Sequence, residues 1–206
     1  MKILVLGSTG LTGRHLLKKL LASGQDVTAF ARKPDDLKEF TSLRVLQGDA
    51  RDLESLQRAV EGQDVVLSTL GPRSMKADDL QEVYMRNLVQ AMKTHGVKRF
   101  INLSALGAGD SRKEAPFFFR AILMPLFLGN VFADKEKGEA FLLSSDHNFI
   151  NVRPGRLLNS PARGGVKASL HGHDIQASLT REDLADFMIS QIHSDTWLRQ
   201  SPLIGY

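Results

Sequence analysis

The chain has 206 residues, of which 42% are hydrophobic and 24% charged, an ordinary globular composition that can fill a core in one large domain. It has no cysteine, which excludes disulfides, thiolate nucleophiles and cysteine-based zinc sites. The net charge of +4 comes from cations interleaved with acids, with no basic block of the kind that marks a nucleic-acid binder.

Taken in chain order, short apolar runs alternate with helical patterns. "KILVL" (2–6) reads as a strand and is followed by a helix from Thr12 to Ser23 that stops at Gly24. "DVTAFA" (26–31) precedes a short polar helix near 34–40, and "LRVLQG" (43–48) precedes a helix near 52–61 that Gly62 ends. "DVVLSTL" (64–70) leads to a longer helix near 78–95, closed by Gly96, and "RFINLS" (99–104) follows. A helix near 133–145 then leads to "FINVRP" (149–154), a last helix covers about 181–193, and "PLIGY" closes the chain. Near-continuous apolar strands between amphipathic helices predict an α/β protein, a Rossmann-like doubly wound parallel sheet with helices on both faces. No repeat, low-complexity stretch or linker divides it, so a single domain over 1–206 is expected.

One segment breaks the rhythm. "APFFFRAILMPLFLGNVFA" (115–133) is strongly apolar, but Arg120, Pro125 and Gly129 interrupt it, so no membrane span is expected. It reads as an insertion, from about 107 to 133, that is either buried or forms an apolar lid over a substrate. No secretory signal is visible, and a cytoplasmic protein, monomeric or weakly dimeric, is expected.

The chemistry begins at "GSTGLTG". Gly7, Gly10 and Gly13 follow the first strand and open the first helix, the context in which such glycines let a backbone turn tightly and approach a pyrophosphate. The helix N-terminus supplies unpaired N–H groups and a positive dipole end, and Ser8, Thr9 and Thr12 are candidate hydroxyl donors. No Gly-Lys-Ser/Thr follows, which excludes a P-loop. Nineteen residues after Gly13, at the tip of the second strand, stand Arg32 and Lys33. An acid there would bind the ribose 2′-hydroxyl of NAD; a cation instead pairs with a 2′-phosphate, so the reading is NADP(H). Asp49 is placed either to meet the adenine rim or to cap a helix. Gly71 would let the chain pass close to the cofactor, and Arg73 either reaches a phosphate or is a surface cation.

The glycine loop, "GDARD", "GQDVVLSTLGPRS", "AMKTHGVKRFINLSA" and "NVRPG" resemble the atypical short-chain dehydrogenase/reductase superfamily. The resemblance is to its NAD(P)H-binding group, which includes NADPH-dependent flavin reductases (biliverdin-IXβ reductases) and NmrA-like proteins. It covers nearly the whole chain, tightly in the first half and loosely from Gly107 to Asp134. It implies an NADP-binding Rossmann-like fold with cofactor contacts at Gly7, Ser8, Thr9, Gly10, Leu11, Thr12, Gly13, Arg32, Lys33, Asp49, Ala50, Leu70, Gly71 and Ser104. Pro154, in the turn that ends "FINVRP", is a further candidate contact.

Many members of the superfamily use a Tyr-x-x-x-Lys pair to protonate an alkoxide. Only Tyr84 and Tyr206 are present here, and Leu88 stands four residues after Tyr84, so that pair is absent. Reduction of a flavin or quinone does not require it. For that chemistry the resemblance points to Ser104, which matches a serine of the flavin reductases. It also points to Arg156, in place of a substrate-pocket histidine, and to Lys135, which matches a lysine near the cofactor in some relatives. Three readings follow: a reductase of flat acceptors, a non-catalytic NADP(H)-binding sensor that contacts other proteins, and an epimerase or isomerase, which the missing pair disfavours. His171 and His173 lie two apart without a third ligand, so no metal is expected. Thr180 and Asp183 read as a helix cap, and Trp197 as C-terminal packing.

Overall fold

The computed structural model describes residues 1–72 and 79–206. The strands are β1 (Lys2–Leu6), β2 (Asp26–Ala31), β3 (Arg44–Gln47), β4 (Val65–Ser68), β5 (Arg99–Leu103), β6 (Asn148–Pro154), β7 (Arg156–Leu158), β8 (Lys167–Ser169), β9 (Ser178–Thr180) and β10 (Leu203–Gly205). The helices are α1 (Leu11–Ala22), α2 (Leu53–Val60), α3 (Leu80–His95), α4 (Gly129–Leu143) and α5 (Arg181–Ser190). Eight strands form one sheet in the order β3-β2-β1-β4-β5-β6-β10-β8, parallel except for β8; β7 and β9 pair separately. This is the Rossmann-like arrangement expected from the sequence. The chain crosses from β3 to β4 past β1, so the strand order reverses between β1 and β4. Such a switch point leaves a crevice at the carboxyl ends of the strands.

The unbroken apolar runs have a simple cause: the sheet is covered on both sides. Along β1, Ile3 and Val5 pack with Leu16, Leu17 and Leu20 of α1 and with Leu184 and Met188 of α5. The alternate residues, Leu4 and Leu6, pack with Leu56 of α2 and Tyr84 and Leu88 of α3. Local chemistry sets the helix ends. The Asp52 carboxylate accepts from Ser55 N at 3.0 Å and caps α2. Gly96, at φ 70°, ends α3 in the left-handed conformation that an L side chain would resist.

The structure departs from expectation in three places. The polar helix near 34–40 is a single 3₁₀ turn, Pro34–Leu37. The helix expected to start near 133 begins at Gly129 and continues, without a break, a π-helical stretch, Phe119–Leu128. A π turn has room for Pro125, which lacks the N–H that an α-helix would use. The chain between β6 and α5 holds β7, β8 and β9, each of three residues and too short for a periodic signal. "PLIGY" supplies β10, inserted between β6 and β8. Trp197 packs against the α1/α5 side of the core.

Candidate functional site

A cleft of about 380 Å³ opens at the switch point. Its floor is the glycine loop. Gly7 has φ +73°, and a Cβ there would come 2.6 Å from the Thr69 carbonyl carbon, so only glycine lets β1 and β4 close on each other. A Cβ at Gly13 would lie 2.2 Å from the Gly7 oxygen; Gly13 therefore seats α1 against the loop. No side chain caps α1, whose N-cap is Gly10, and its first turn holds no acid. Uncapped amides at the positive end of a helix make an anion seat, and this one lies on the cleft wall.

The structure gathers Gly7, Thr9, Gly10, Leu11, Thr12, Arg32, Asp49, Ala50, Leu70 and Gly71 around this cleft. Ser8, Gly13, Lys33, Ser104 and Pro154 are not among the lining residues, and Arg73 lies outside the described residues. The expectation that the Ser8 hydroxyl faces a ligand is corrected: it is buried and donates to Phe30 O at 3.1 Å, tying the loop to β2. Asp49 keeps its Oδ1 on Arg51 N, 2.9 Å away, which shapes the turn after β3. Arg32 is exposed on the cleft rim, and its guanidinium has no hydrogen-bond or ion-pair partner among the described residues.

Two residues matter here that the sequence did not flag. Arg14, on α1, donates to Thr9 O at 3.3 Å and to Asp36 O at 2.5 Å, and pairs with Glu39. It thereby joins the glycine loop to the 3₁₀ turn that follows Arg32. Arg181, the first residue of α5, lines the cleft, as does Leu157 of β7. Burial lowers the pKa of its guanidinium, and Asn159 Oδ1 holds it at 2.7 Å. Neither had a local signal, because both act across distances in sequence that only folding closes.

The catalytic candidates are spread more widely. Ser104 is buried and its Oγ donates to Glu139. Glu139 also accepts from Asn151 Nδ2 at 2.9 Å and pairs with Arg153 at 2.6 Å. Arg153 reaches Asp110 at 2.6 Å as well; burial opposes its charge, but the two carboxylates raise its pKa overall. Asn151 Oδ1 accepts from Asn102, and Asn102 Oδ1 accepts from Tyr84 OH at 3.0 Å, so a chain of buried polar groups runs under the ends of β4, β5 and β6. Lys135 is buried one turn before Glu139; desolvation lowers its pKa, against the pull of Glu139 and Asp134. Arg156 is exposed on β7 and is not among the residues lining the cleft.

Both tyrosines are engaged elsewhere. Burial pushes the Tyr84 pKa well above its ordinary value, and Tyr206 OH donates to Asp183 at 2.6 Å. Asp183 also accepts from the amides of Arg163 and Gly164 and from the Thr180 hydroxyl, so the expected helix cap is part of a larger knot that ties in the C-terminus. His171 and His173 stack on each other at 5.7 Å, and among the described residues no group of three or more candidate metal ligands assembles.

A parallel sheet with an uncapped glycine loop at its switch point defines a dinucleotide-binding protein. The pattern of a family described as NAD(P)H-binding matches residues 7–195, and the chain belongs to that family. A chloroplastic divinyl chlorophyllide a 8-vinyl-reductase of Arabidopsis thaliana is 32% identical over 144 residues, which are 60% of this chain and 34% of that one. The chain thus spans about a third of the length of that curated relative. Among solved structures, the oxidoreductase ylbE of Lactococcus lactis superposes with a TM-score of 0.84 at 25% identity, over 100% of this chain and 90% of that one. A short-chain dehydrogenase/reductase of Veillonella parvula, solved with NADP, shares the fold with a TM-score of 0.82 at 21% identity, over 100% and 94%.

Proposed function

We propose that this chain is an NADPH-dependent reductase that delivers hydride to a flat, electron-poor acceptor such as a flavin or quinone. The observation that carries the reading is Arg32: at the tip of β2, its guanidinium has no hydrogen-bond or ion-pair partner among the described residues, and it lines the same cleft as the uncapped first turn of α1. That pairing suits a cofactor with both a pyrophosphate and a 2′-phosphate. Membership of the NAD(P)H-binding family supports it, as does the NADP in the Veillonella relative.

When bound, the cofactor supplies a hydride. The chain's own residues bind and orient. Gly7, Gly10 and the first turn of α1 would seat the pyrophosphate, and Arg32 the 2′-phosphate, with Lys33 next to it in sequence. Thr69, Leu70 and Gly71 line the wall at the end of β4, and Leu157 and Arg181 add to the lining from β7 and α5. Since both tyrosine hydroxyls are tied up away from the cleft, an acceptor whose reduced form is a stable anion suits the site better than a ketone. Solvent then supplies the proton, and catalysis rests on proximity and orientation. Ser104, buried at the end of β5, and Lys135, buried in the middle of α4, are candidates to order the acceptor side; Arg156 is a candidate for an acidic group.

The test is direct. The protein is mixed with NADPH and a panel of FMN, riboflavin and small quinones, and the nicotinamide absorbance is followed. Turnover supports the reductase. Tight NADPH binding without oxidation across the panel would instead support a sensor, and no binding would remove both.

A further inference from the structure

The segment before α4 keeps a broad apolar face in solvent. Among the described residues, Phe117 is 72% exposed, Phe118 58%, Ile122 40%, Leu126 69% and Phe127 66%. Within the π-helical stretch the hydrogen bonds run between residues five apart, which puts Ile122 and Phe127 on one face with Ala121 and Leu126 beside them, and Phe117 and Phe118 stand exposed in the turn just before it. The opposite face anchors the segment: Met124 is fully buried, and Phe119 meets Phe132 edge-on at 5.9 Å. The exposed side chains are therefore a fixed surface, of a kind soluble monomers rarely leave uncovered.

Its charge points to what covers it. From Arg112 to Ala133 the sequence holds three cations, Arg112, Lys113 and Arg120, all exposed, and a single acid, Glu114. Glu114 is turned aside to accept from Gly172 N at 2.8 Å. Arg120 lies 5.8 Å over the Phe117 ring and donates to Lys113 O, which keeps the positive charge at the patch. Exposed Phe, Leu and Ile rimmed by Arg and Lys are the chemistry of an interfacial helix on anionic lipid. A second copy of the chain fits poorly, since face-to-face pairing would bring six like charges together. No helix among the described residues is long and apolar enough to cross a membrane, so the contact would lie in the interface plane.

We propose that Phe117, Phe118, Ile122, Leu126 and Phe127, with Arg112, Lys113 and Arg120, dock the protein on an anionic bilayer surface. The segment follows β5, at the same edge of the sheet as the cofactor cleft, so docking turns that edge toward lipid. The docking stands whether or not the cleft catalyses reduction.

Co-sedimentation with vesicles tests it. The full chain should pellet with phosphatidylserine-rich vesicles and stay in solution with pure phosphatidylcholine. The triple change Phe117→Ser, Leu126→Ser, Phe127→Ser should abolish pelleting, and Arg112→Gln, Lys113→Gln, Arg120→Gln should weaken it roughly tenfold or more. Unchanged NADPH binding would show that the variants fold. No pelleting of the wild-type chain, pelleting that the triple serine variant retains, or a solution dimer that the same variant dissociates would each overturn the proposal.

Discussion

The Ser104 hydroxyl, at the carboxyl end of β5, donates to the Glu139 carboxylate on α4, and the other oxygen of that carboxylate lies 2.6 Å from Arg153 Nη2. A serine expected to face a substrate is thereby fixed to a buried ion pair whose side chains are 1% and 3% exposed. Glu139→Gln would leave Arg153 with only the solvent-facing Asp110. The expected cost is about 3 kcal/mol of stability, because one partner of a buried pair is lost while the other stays charged. Urea denaturation measures it; an unchanged midpoint would show that the pair contributes nothing net.

Replacing Arg32 with Ala removes the cation at the tip of β2 without disturbing a described hydrogen bond of its side chain. NADPH should bind on the order of tenfold to a hundredfold more weakly, the range of a charge-assisted contact, while NADH binding changes little. Calorimetric titration with each nucleotide checks this. Equal losses for both would place Arg32 away from the 2′-phosphate.

Gly13→Ala places a methyl 2.2 Å from the Gly7 carbonyl oxygen, a backbone atom that cannot swing aside. The helix must shift away from the loop, at an expected cost of about 2 kcal/mol. A lower melting temperature together with weaker nucleotide binding is the expected pair of results. A variant as stable as the parent would mean that α1 does not sit as close as described.

Arg181 offers a second cation on the cleft wall, on α5 rather than at the tip of β2. Arg181→Met should raise KM for a phosphorylated acceptor such as FMN about tenfold and leave KM for an uncharged quinone nearly unchanged. Steady-state kinetics with the two acceptors separate this from a general loss of cofactor binding, which would affect both alike.

Asp183 sets a pH limit. Burial works against its charge, but the amides of Arg163 and Gly164 and the hydroxyls of Tyr206 and Thr180 pull its pKa down from 3.8 to about 2. The folded state therefore holds this proton less tightly than the unfolded chain does. The stabilisation is fully present above about pH 4 and is lost as pH falls toward 2. Asp183→Asn should flatten that part of the pH–stability curve and lower stability at neutral pH. Denaturation midpoints across the acid range give the comparison.

Much of this was legible in the residues. "KILVL" reads as β1 because burial on both faces leaves no polar alternation, and three glycines between a strand and a helix mark the seat of the cleft. Ser8 illustrates the limit: its hydroxyl was equally able to face a ligand or a backbone carbonyl, and only the nearness of Phe30 O decided. Arg181 illustrates it from the other side, since a residue at an ordinary helix start became part of the cleft wall through the pairing of β7 with β9.

By itself the sequence determined the alternation of strands and helices, the glycine loop and the cation that follows it, because these are local patterns of size, polarity and backbone freedom. Tertiary structure alone decided that β10 enters the sheet beside β6, that Ser104 meets Glu139, and that the apolar segment anchors through Met124 while its outer face stays in water. Those outcomes depend on contacts between residues far apart in the chain, where no local periodicity carries information.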